Sequence, residues 1–101
     1  MNNLPEVLIV DDNLQNLHLI EVLLKGMQLN INTAISGKEA LIKAKNKDLA
    51  VALIDIQMPE MNGFDLAVLL NKDRGIERIP VIFLTAIYST DEDVKRGYQS
   101  G

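Results

Sequence analysis

The sequence predicts an α/β fold in which helices cover both faces of a parallel sheet. Four short segments rich in β-branched residues have the pattern of strands; they lie at residues 7–10, 31–34, 51–54 and 81–84. Helical patterns separate these runs, and consecutive parallel strands need right-handed helical crossovers between them. The third and fourth runs are apolar at every position, as expected of strands buried on both faces.

The first helix is predicted over residues 14–27. Within this range, apolar side chains recur at spacings of three and four residues, at Leu17, Ile20, Leu24 and Met27. This spacing places them on one face of a helix, which should pack against the sheet. Gly26 and the turn before Asn30 should end the helix.

Capping side chains indicate the second and third helices. Ser36 and Glu39 have the spacing of a capping box, in which each side chain accepts a bond from the other residue's backbone N–H. A helix should therefore run from residue 37 to about residue 45. Asn62 is a good N-cap and predicts a third helix from residue 63 to about residue 71. The apolar residues available for burial on this helix are Phe64, Ala67, Leu69 and Leu70.

The remaining segments complete the alternation of strands and helices. Residues 73–78, between the third helix and the fourth strand, are the most polar connection, and this polarity predicts a surface loop. A fourth helix is expected from Thr90, because acidic residues at 91–93 suit the positive end of a helix dipole and Lys95 and Arg96 suit its negative end.

Composition indicates one ordinary globular domain. The 101 residues are 48% apolar and 24% charged. The net charge is −4 and no segment is dense in Lys and Arg, which argues against direct binding of nucleic acid. No apolar run approaches the roughly 20 residues of a membrane span. Without a signal-peptide pattern or any cysteine, we expect a cytoplasmic protein.

Polar residues follow three of the predicted strands directly. Asp11 and Asp12 follow the first strand, Asp55 the third and Thr85 the fourth. Each has a structural explanation on its own: Asp12 or Asn13 could cap the first helix, and an Asp after a strand is often a turn residue. However, ligands of open α/β sheets bind at the carboxyl ends of the strands. Because three strands deliver polar groups to that edge, we predict a functional site there.

The predicted cluster of three carboxylates needs either a proton or a cation to relieve its repulsion. Two unit charges about 4 Å apart repel by roughly 4 kcal/mol at an effective dielectric constant of about 20. Oxygen ligands with room for water and phosphate suit Mg²⁺. A bound Mg²⁺ would let an anionic phosphoryl group approach a carboxylate. The cluster therefore predicts a site of phosphoryl transfer.

The sequence around these residues resembles the receiver domain of two-component response regulators. An apolar strand precedes Asp11 and Asp12, the string from Asp55 to Gly63 reads Asp-x-x-Met-Pro-x-Met-x-Gly, and Pro80 begins an apolar strand that ends before Thr85. The resemblance covers residues 7–101. It implies a flavodoxin-like, doubly wound parallel sheet with strand order 2-1-3-4-5.

The resemblance also implies which residues bind metal. Asp55 would be the nucleophile, phosphorylated by a phosphohistidine of a sensor kinase or phosphotransfer protein. Asp12, Asp55 and the backbone carbonyl of Gln57 would bind Mg²⁺, and Asp11 would act mainly through a coordinated water.

Further residues would bind the phosphoryl group. The resemblance implies a hydrogen bond from the Thr85 hydroxyl to a phosphoryl oxygen, assisted by the amides of Gln57 and Ala86. Pro59 and Gly63 would shape the loop after the third strand, Pro by its fixed φ and Gly by tolerating unusual backbone angles.

One feature departs from the family pattern. Family members carry a Lys, usually followed by Pro, at the end of a fifth strand that also holds a switch aromatic, and this sequence has no Lys-Pro pair. We therefore expect the fifth strand and last helix to lie beyond Gly101, in the rest of a longer domain. An uncovered fourth strand would favour a homodimer or marginal stability.

The leading functional prediction is a signalling switch that regulates a C-terminal output domain or a partner. It would assist its own phosphorylation and dephosphorylation at most, and so is not expected to be an enzyme. The alternative is a pseudo-receiver that acts as a constitutive interaction module. A phosphatase is disfavoured because position 57 is Gln, which breaks an Asp-x-Asp motif at Asp55. His18 is expected on the surface, and Met58 and Met61 should fill gaps in the core.

Overall fold

The computed structural model of the chain describes residues 3–84. Its four parallel strands form one sheet of order β2-β1-β3-β4, which confirms the predicted order of the first four strands. The strands are β1 (Glu6–Val10), β2 (Asn30–Ala34), β3 (Leu49–Ile54) and β4 (Val81–Phe83). The helices are α1 (Leu14–Leu24), α2 (Gly37–Ala44) and α3 (Gly63–Asn71), with a 3-10 turn at Gly75–Glu77.

The central strand β1 is buried on both faces of the sheet. Successive side chains of a strand point to opposite faces, so β1 contributes to two separate cores. Leu8 and Val10 pack in the core on the side of α2 and α3, together with Leu66. Val7 and Ile9 pack in the second core with side chains of α1. Helices therefore cover both faces, as the sequence predicts.

Side-chain caps fix where the helices begin. Asn13 caps α1, since its Oδ1 accepts bonds from the backbone N–H groups of residues 15 and 16 at 2.8 and 3.1 Å. Ser36 Oγ accepts from the N–H of Glu39 at 3.1 Å, but the Glu39 carboxylate accepts from Ile35 at 3.2 Å and not from Ser36. Asn62 caps α3 through the N–H of residue 65 at 2.8 Å.

Helix α1 ends earlier than the sequence predicts. It stops at Leu24, the C-cap Lys25 is extended, and Gly26 has φ 99°. Because this glycine turns the chain away from the helix axis, Met27 leaves the apolar face and is 59% exposed. The expected burial of Met27 is therefore wrong. None of the helices in residues 3–84 is long and apolar enough to span a membrane.

Two other predicted burial patterns are wrong in part. In α3 the buried leucines are Leu66 and Leu70, one turn apart, whereas Leu69 is 40% exposed because it lies about 100° around the helix from Leu70. In β4, Ile82 is 56% exposed, so this strand is not buried on both faces within the described residues. The fourth helix predicted from Thr90 lies outside the described residues.

Candidate functional site

Three aspartates meet at the carboxyl edge of the sheet. Asp11 and Asp12 directly follow β1, and Asp55 directly follows its neighbour β3. The final pair in the register of these strands is Val10 with Ile54, so the two strands end side by side. One carboxylate oxygen from each aspartate lies within 4.8 Å of the others. The predicted convergence of these side chains is therefore confirmed.

Asp11 and Asp55 are held by backbone hydrogen bonds that extend the sheet by one residue. The N–H of Asp11 donates to the carbonyl of Ala34 at 3.1 Å, and the N–H of Asp55 donates to that of Val10 at 2.9 Å. Asp11 is fully buried and Asp55 is 9% exposed. Their positions are thus fixed by the sheet, whereas Asp12 is exposed and faces solvent.

Asn13 contributes more to this site than the sequence indicates. Its backbone N–H donates to Asp11 Oδ1 at 2.9 Å, while its side chain caps α1. The start of the helix and the buried carboxylate are therefore coupled through one residue. The sequence signal for this turn is the strand-end Asp11, because an Asp side chain commonly accepts a bond from the backbone N–H two residues later.

The cluster combines negative charge with oxygen ligands. At separations of about 5 Å, each pair of ionised carboxylates repels by roughly 3 kcal/mol at an effective dielectric constant of about 20. Asp11 and Asp55 are buried and their backbones are fixed by the sheet, so solvent does little to screen this repulsion. A set of oxygen donors with one solvent-facing member suits a hard divalent cation that keeps some of its water. The cluster can therefore hold such a metal ion.

The loop after β3 folds back at Gly63 and contacts the backbone at the end of β3. The N–H of Gly63 donates to the carbonyl of Ile56 at 2.8 Å. A Cβ at position 63 would lie 2.9 Å from Ile56 Cα and would clash with the carbonyl oxygen of Asp55. Gly63 does not have a positive φ; in this loop the left-handed residue is Glu60, with φ 69°. The predicted reason for Gly63, unusual backbone angles, is therefore wrong: the position needs glycine because two backbone segments touch.

The two methionines of this loop pack as predicted. Met58 and Met61 are partly buried against the core on the side of α2 and α3. Met61 fills the space over Gly37, where a Cβ would lie 3.2 Å from Met61 Cβ. This contact ties the loop after β3 to the start of α2. His18 is exposed on α1, also as predicted.

Of the remaining predicted site residues, only Gln57 lies within residues 3–84. Gln57 is exposed in the loop, two residues after Asp55. Strand β4 pairs with β3, and the N–H of Leu84 donates to the carbonyl of Ile54 at 3.0 Å, one residue before Asp55. Thr85 and Ala86 follow immediately but lie outside the described residues, so their roles stay predictions.

Comparisons with known proteins assign the family. The family model for the response regulator receiver domain matches residues 7–101. The chain belongs to this family. The chemotaxis protein CheY4 of Vibrio cholerae superposes on this receiver with a TM-score of 0.76 at 27% identity, covering 97% of this chain and 81% of that one. The match includes the parallel sheet order described above.

Longer proteins contain similar receiver sequences. A gliding motility regulatory protein of Myxococcus xanthus is 37% identical over 95 residues, which are 94% of this chain and 12% of that protein. The heme response regulator HssR of Staphylococcus haemolyticus is 37% identical over 94 residues, which are 93% of this chain and 40% of that regulator. The receiver chain thus spans less than half the length of each of these relatives.

Proposed function

We propose that this receiver is a phosphoacceptor switch in which Asp55 accepts a phosphoryl group. The observation that carries the proposal is the cluster of Asp11, Asp12 and Asp55 at the carboxyl edge of the sheet. A carboxylate oxygen of Asp55 attacks phosphorus while the bond from phosphorus to the donor's histidine nitrogen breaks. The imidazole keeps the electron pair of that bond and takes a proton from solvent. Asp55 then carries a mixed anhydride, the acyl phosphate.

Mg²⁺ is the proposed metal ion of this site. When bound, it offsets the charge of the carboxylates and of the phosphoryl oxygens during transfer. Asp12, Asp55 and the backbone carbonyl of Gln57 would hold it, and Asp11 would orient a coordinated water. The full burial of Asp11 and its bond from the N–H of Asn13 support an orienting role, because both restrict the movement of that carboxylate.

Residues after β4 would then bind the phosphoryl group. The Thr85 hydroxyl is proposed to donate to a phosphoryl oxygen, with the amides of Gln57 and Ala86 as further donors. Their support is the strand order, since β4 lies beside β3 and Leu84 pairs with the residue before Asp55. Inward movement of Thr85 would shift the domain between two conformations.

The proposed donor is a sensor histidine kinase or a phosphotransfer protein. The proposed target is an output domain or a separate partner, and family membership together with the longer relatives supports both. The receiver would act on no external substrate and would only assist its own phosphorylation and dephosphorylation. The exposure of Asp12 leaves an open side on the cluster through which a donor can approach Asp55.

The test is phosphorylation by a small-molecule donor, acetyl phosphate, with Mg²⁺, read by intact mass. We expect the mass of one phosphoryl group to be added, and no addition when the metal is chelated. Asp55→Asn should abolish the adduct. Asp48→Asn is the matched control, because Asp48 is an exposed aspartate at the other end of β3.

Each outcome has a defined meaning. An adduct that persists in Asp55→Asn contradicts the assignment of the nucleophile. An unreactive but folded wild-type chain supports a constitutive interaction module instead, and continuous release of phosphate from the donor supports an enzyme.

A further inference from the structure

A basic groove lies at the amino end of the sheet, opposite the aspartate cluster. It is open, has a volume of about 810 Å³, and lies between the ends of α2 and α3 and the start of β3. Among residues 3–84, five basic residues line it: Lys45, Lys47, Lys72, Arg74 and Arg78. The chain has ten Lys and Arg residues and a net charge of −4. Half of its positive charge therefore lies in one groove of a protein that is acidic as a whole.

The groove has a fixed framework and exposed charges. Arg74 bonds the end of both helices, with Nε donating to the carbonyl of Leu70 at 2.7 Å and Nη2 to that of Ala44 at 3.3 Å. By contrast, Lys45, Lys72 and Arg78 are exposed. Their ammonium and guanidinium groups are available to a partner on a surface that Arg74 holds in place.

Helix capping explains only part of this cluster. Lys45 and Lys72 are the C-caps of α2 and α3, where a positive charge is favourable to the helix dipole. Lys47 lies in the loop before β3, with its ammonium 3.9 Å from the Glu6 carboxylate, and Arg78 follows the 3-10 turn. Because neither of these residues ends an α-helix, dipole compensation does not account for their convergence with the two lysines.

We propose that this groove binds an acidic polypeptide segment of a partner protein. Positive side chains attract a chain of Asp and Glu residues, and the attraction is strongest where several charges act together. The lining also includes Asp48 and Glu77. The flexible Glu side chains of a polypeptide can rotate away from these two carboxylates, whereas phosphates fixed in a continuous nucleic acid backbone cannot. None of the lining residues in the described part of the chain is aromatic, so the groove lacks stacking platforms for nucleic acid bases.

The groove and the aspartate cluster can act independently. They lie at opposite ends of β3, whose six residues span about 20 Å. An acidic segment bound in the groove therefore leaves Asp55 open to a phosphodonor. The proposal does not rest on phosphorylation of Asp55, and it stands even if that residue proves unreactive.

The test measures binding of a fluorescent poly-glutamate peptide by anisotropy at low ionic strength. A net-acidic protein would repel this peptide unless a local basic surface captures it. We expect wild-type binding that weakens with added salt. Neutralising the groove with the double variant Lys45→Gln and Lys72→Gln should raise Kd about tenfold.

The matched control is the double variant Lys25→Gln and Lys38→Gln, which changes Kd by less than about twofold. It removes equal charge, both residues are exposed, and Lys25 is the C-cap of α1 just as the groove lysines cap α2 and α3. Circular dichroism checks the fold of each variant. If the groove double variant is unfolded, Arg78→Gln replaces it, since Arg78 caps no α-helix.

Three results would overturn the proposal. The first is no binding of poly-glutamate to the wild-type chain, and the second is equal weakening in the groove and control variants. The third is tighter binding of a single-stranded oligonucleotide of equal charge, which would assign the groove to nucleic acid.

Discussion

At the scale of single residues, the contact between Gly63 and the backbone of Asp55 gives the sharpest prediction. Gly63→Ala places a methyl group against the Asp55 carbonyl and 2.9 Å from Ile56 Cα, where only backbone can give way. We expect a loss of about 1–3 kcal/mol in the free energy of unfolding, as for other overpacked sites. The loss is measured by urea denaturation.

Gly37→Ala is the natural control, because Gly37 and Gly63 are each the first residue of a helix. A Cβ at position 37 meets Met61, a flexible side chain that can change rotamer. This variant should lose less stability than Gly63→Ala and should keep phosphoryl acceptance. Equal losses in the two variants would contradict the importance of backbone contact at Gly63.

At the scale of elements, Asn71 connects the end of α3 to the segment before β4 by hydrogen bonds. Its side chain donates to the Ile79 carbonyl at 3.0 Å and accepts from the Ile79 N–H at 2.5 Å. Ile79 is 3% exposed, so neither backbone group can readily turn to water. Asn71→Ala removes both bonds and should cost about 2–4 kcal/mol of unfolding free energy.

The measurement for Asn71→Ala is chemical denaturation beside Gln28→Ala, which truncates an exposed amide side chain. We expect the control to change stability by less than about 0.5 kcal/mol. Faster amide hydrogen exchange at Ile79 should accompany the loss in Asn71→Ala. Unchanged hydrogen exchange at Ile79 would show that the two bonds from Asn71 are not needed to keep the segment before β4 in place.

At the scale of the whole molecule, the sequence predicts the architecture because two simple regularities persist along the chain. Short β-branched runs indicate the strands, and capping residues such as Ser36 and Asn62 indicate helix starts to within a residue. The positions of Asp11, Asp12 and Asp55 directly after neighbouring strands then determine where the site lies. Structural features that depend on residues close together in the sequence are therefore predictable from the local pattern.

Features that depend on contact between distant segments are not predictable in this way. The end of α1 is a separate, local error: the apolar periodicity predicts a helix as far as Met27, but the chain is already extended at Lys25, one residue before Gly26. The basic groove gathers side chains from positions 45 to 78, so the short lysine run at residues 43–47 indicates only part of it. Likewise, the exclusion of a side chain at Gly63 becomes visible only once the loop folds back on Asp55.

The response of stability to pH also belongs to the whole molecule, because Glu6 links β1, β2 and the loop before β3. Hydrogen bonds from Asn32 and Asn30, at 2.9 and 3.0 Å, lower the pKa of Glu6 from its usual value of 4.5; Lys47 adds a smaller effect and partial burial opposes it. A carboxylate with a lowered folded-state pKa stabilises the fold at pH values above its unfolded pKa. This stabilisation is lost as the pH falls below about 4.5, through the lower pKa of the folded state.

Glu6→Gln should therefore have a smaller loss of thermal stability than wild type when the pH is lowered from about 6 to about 3. The other acidic residues are common to both proteins, so the difference between the two melting curves isolates Glu6. Glu21→Gln, which removes an equal charge from an exposed position on α1, should follow the wild-type curve. Parallel curves for Glu6→Gln and wild type would show that the asparagine bonds add no pH-dependent stability.

Mg²⁺ should stabilise the whole fold, because an ion that binds only the folded cluster shifts the unfolding equilibrium. At a concentration of 100 times Kd the gain is about 2.7 kcal/mol, or a rise in Tm of roughly 10 °C for a domain of this size. Asp12→Asn removes one charge of the cluster and one proposed ligand. Without Mg²⁺ the variant should melt at or above the wild-type Tm, since repulsion at Asp11 and Asp55 is reduced.

With Mg²⁺ added, the order of the two proteins should reverse, because only the wild-type cluster gains the full binding energy. Thermal unfolding across a magnesium titration measures both effects, and Asp48→Asn serves as a charge-matched control outside the cluster. A rise in Tm of equal size in wild type and Asp12→Asn would place the ion elsewhere on the molecule. No rise in either protein would remove the metal from the proposed mechanism.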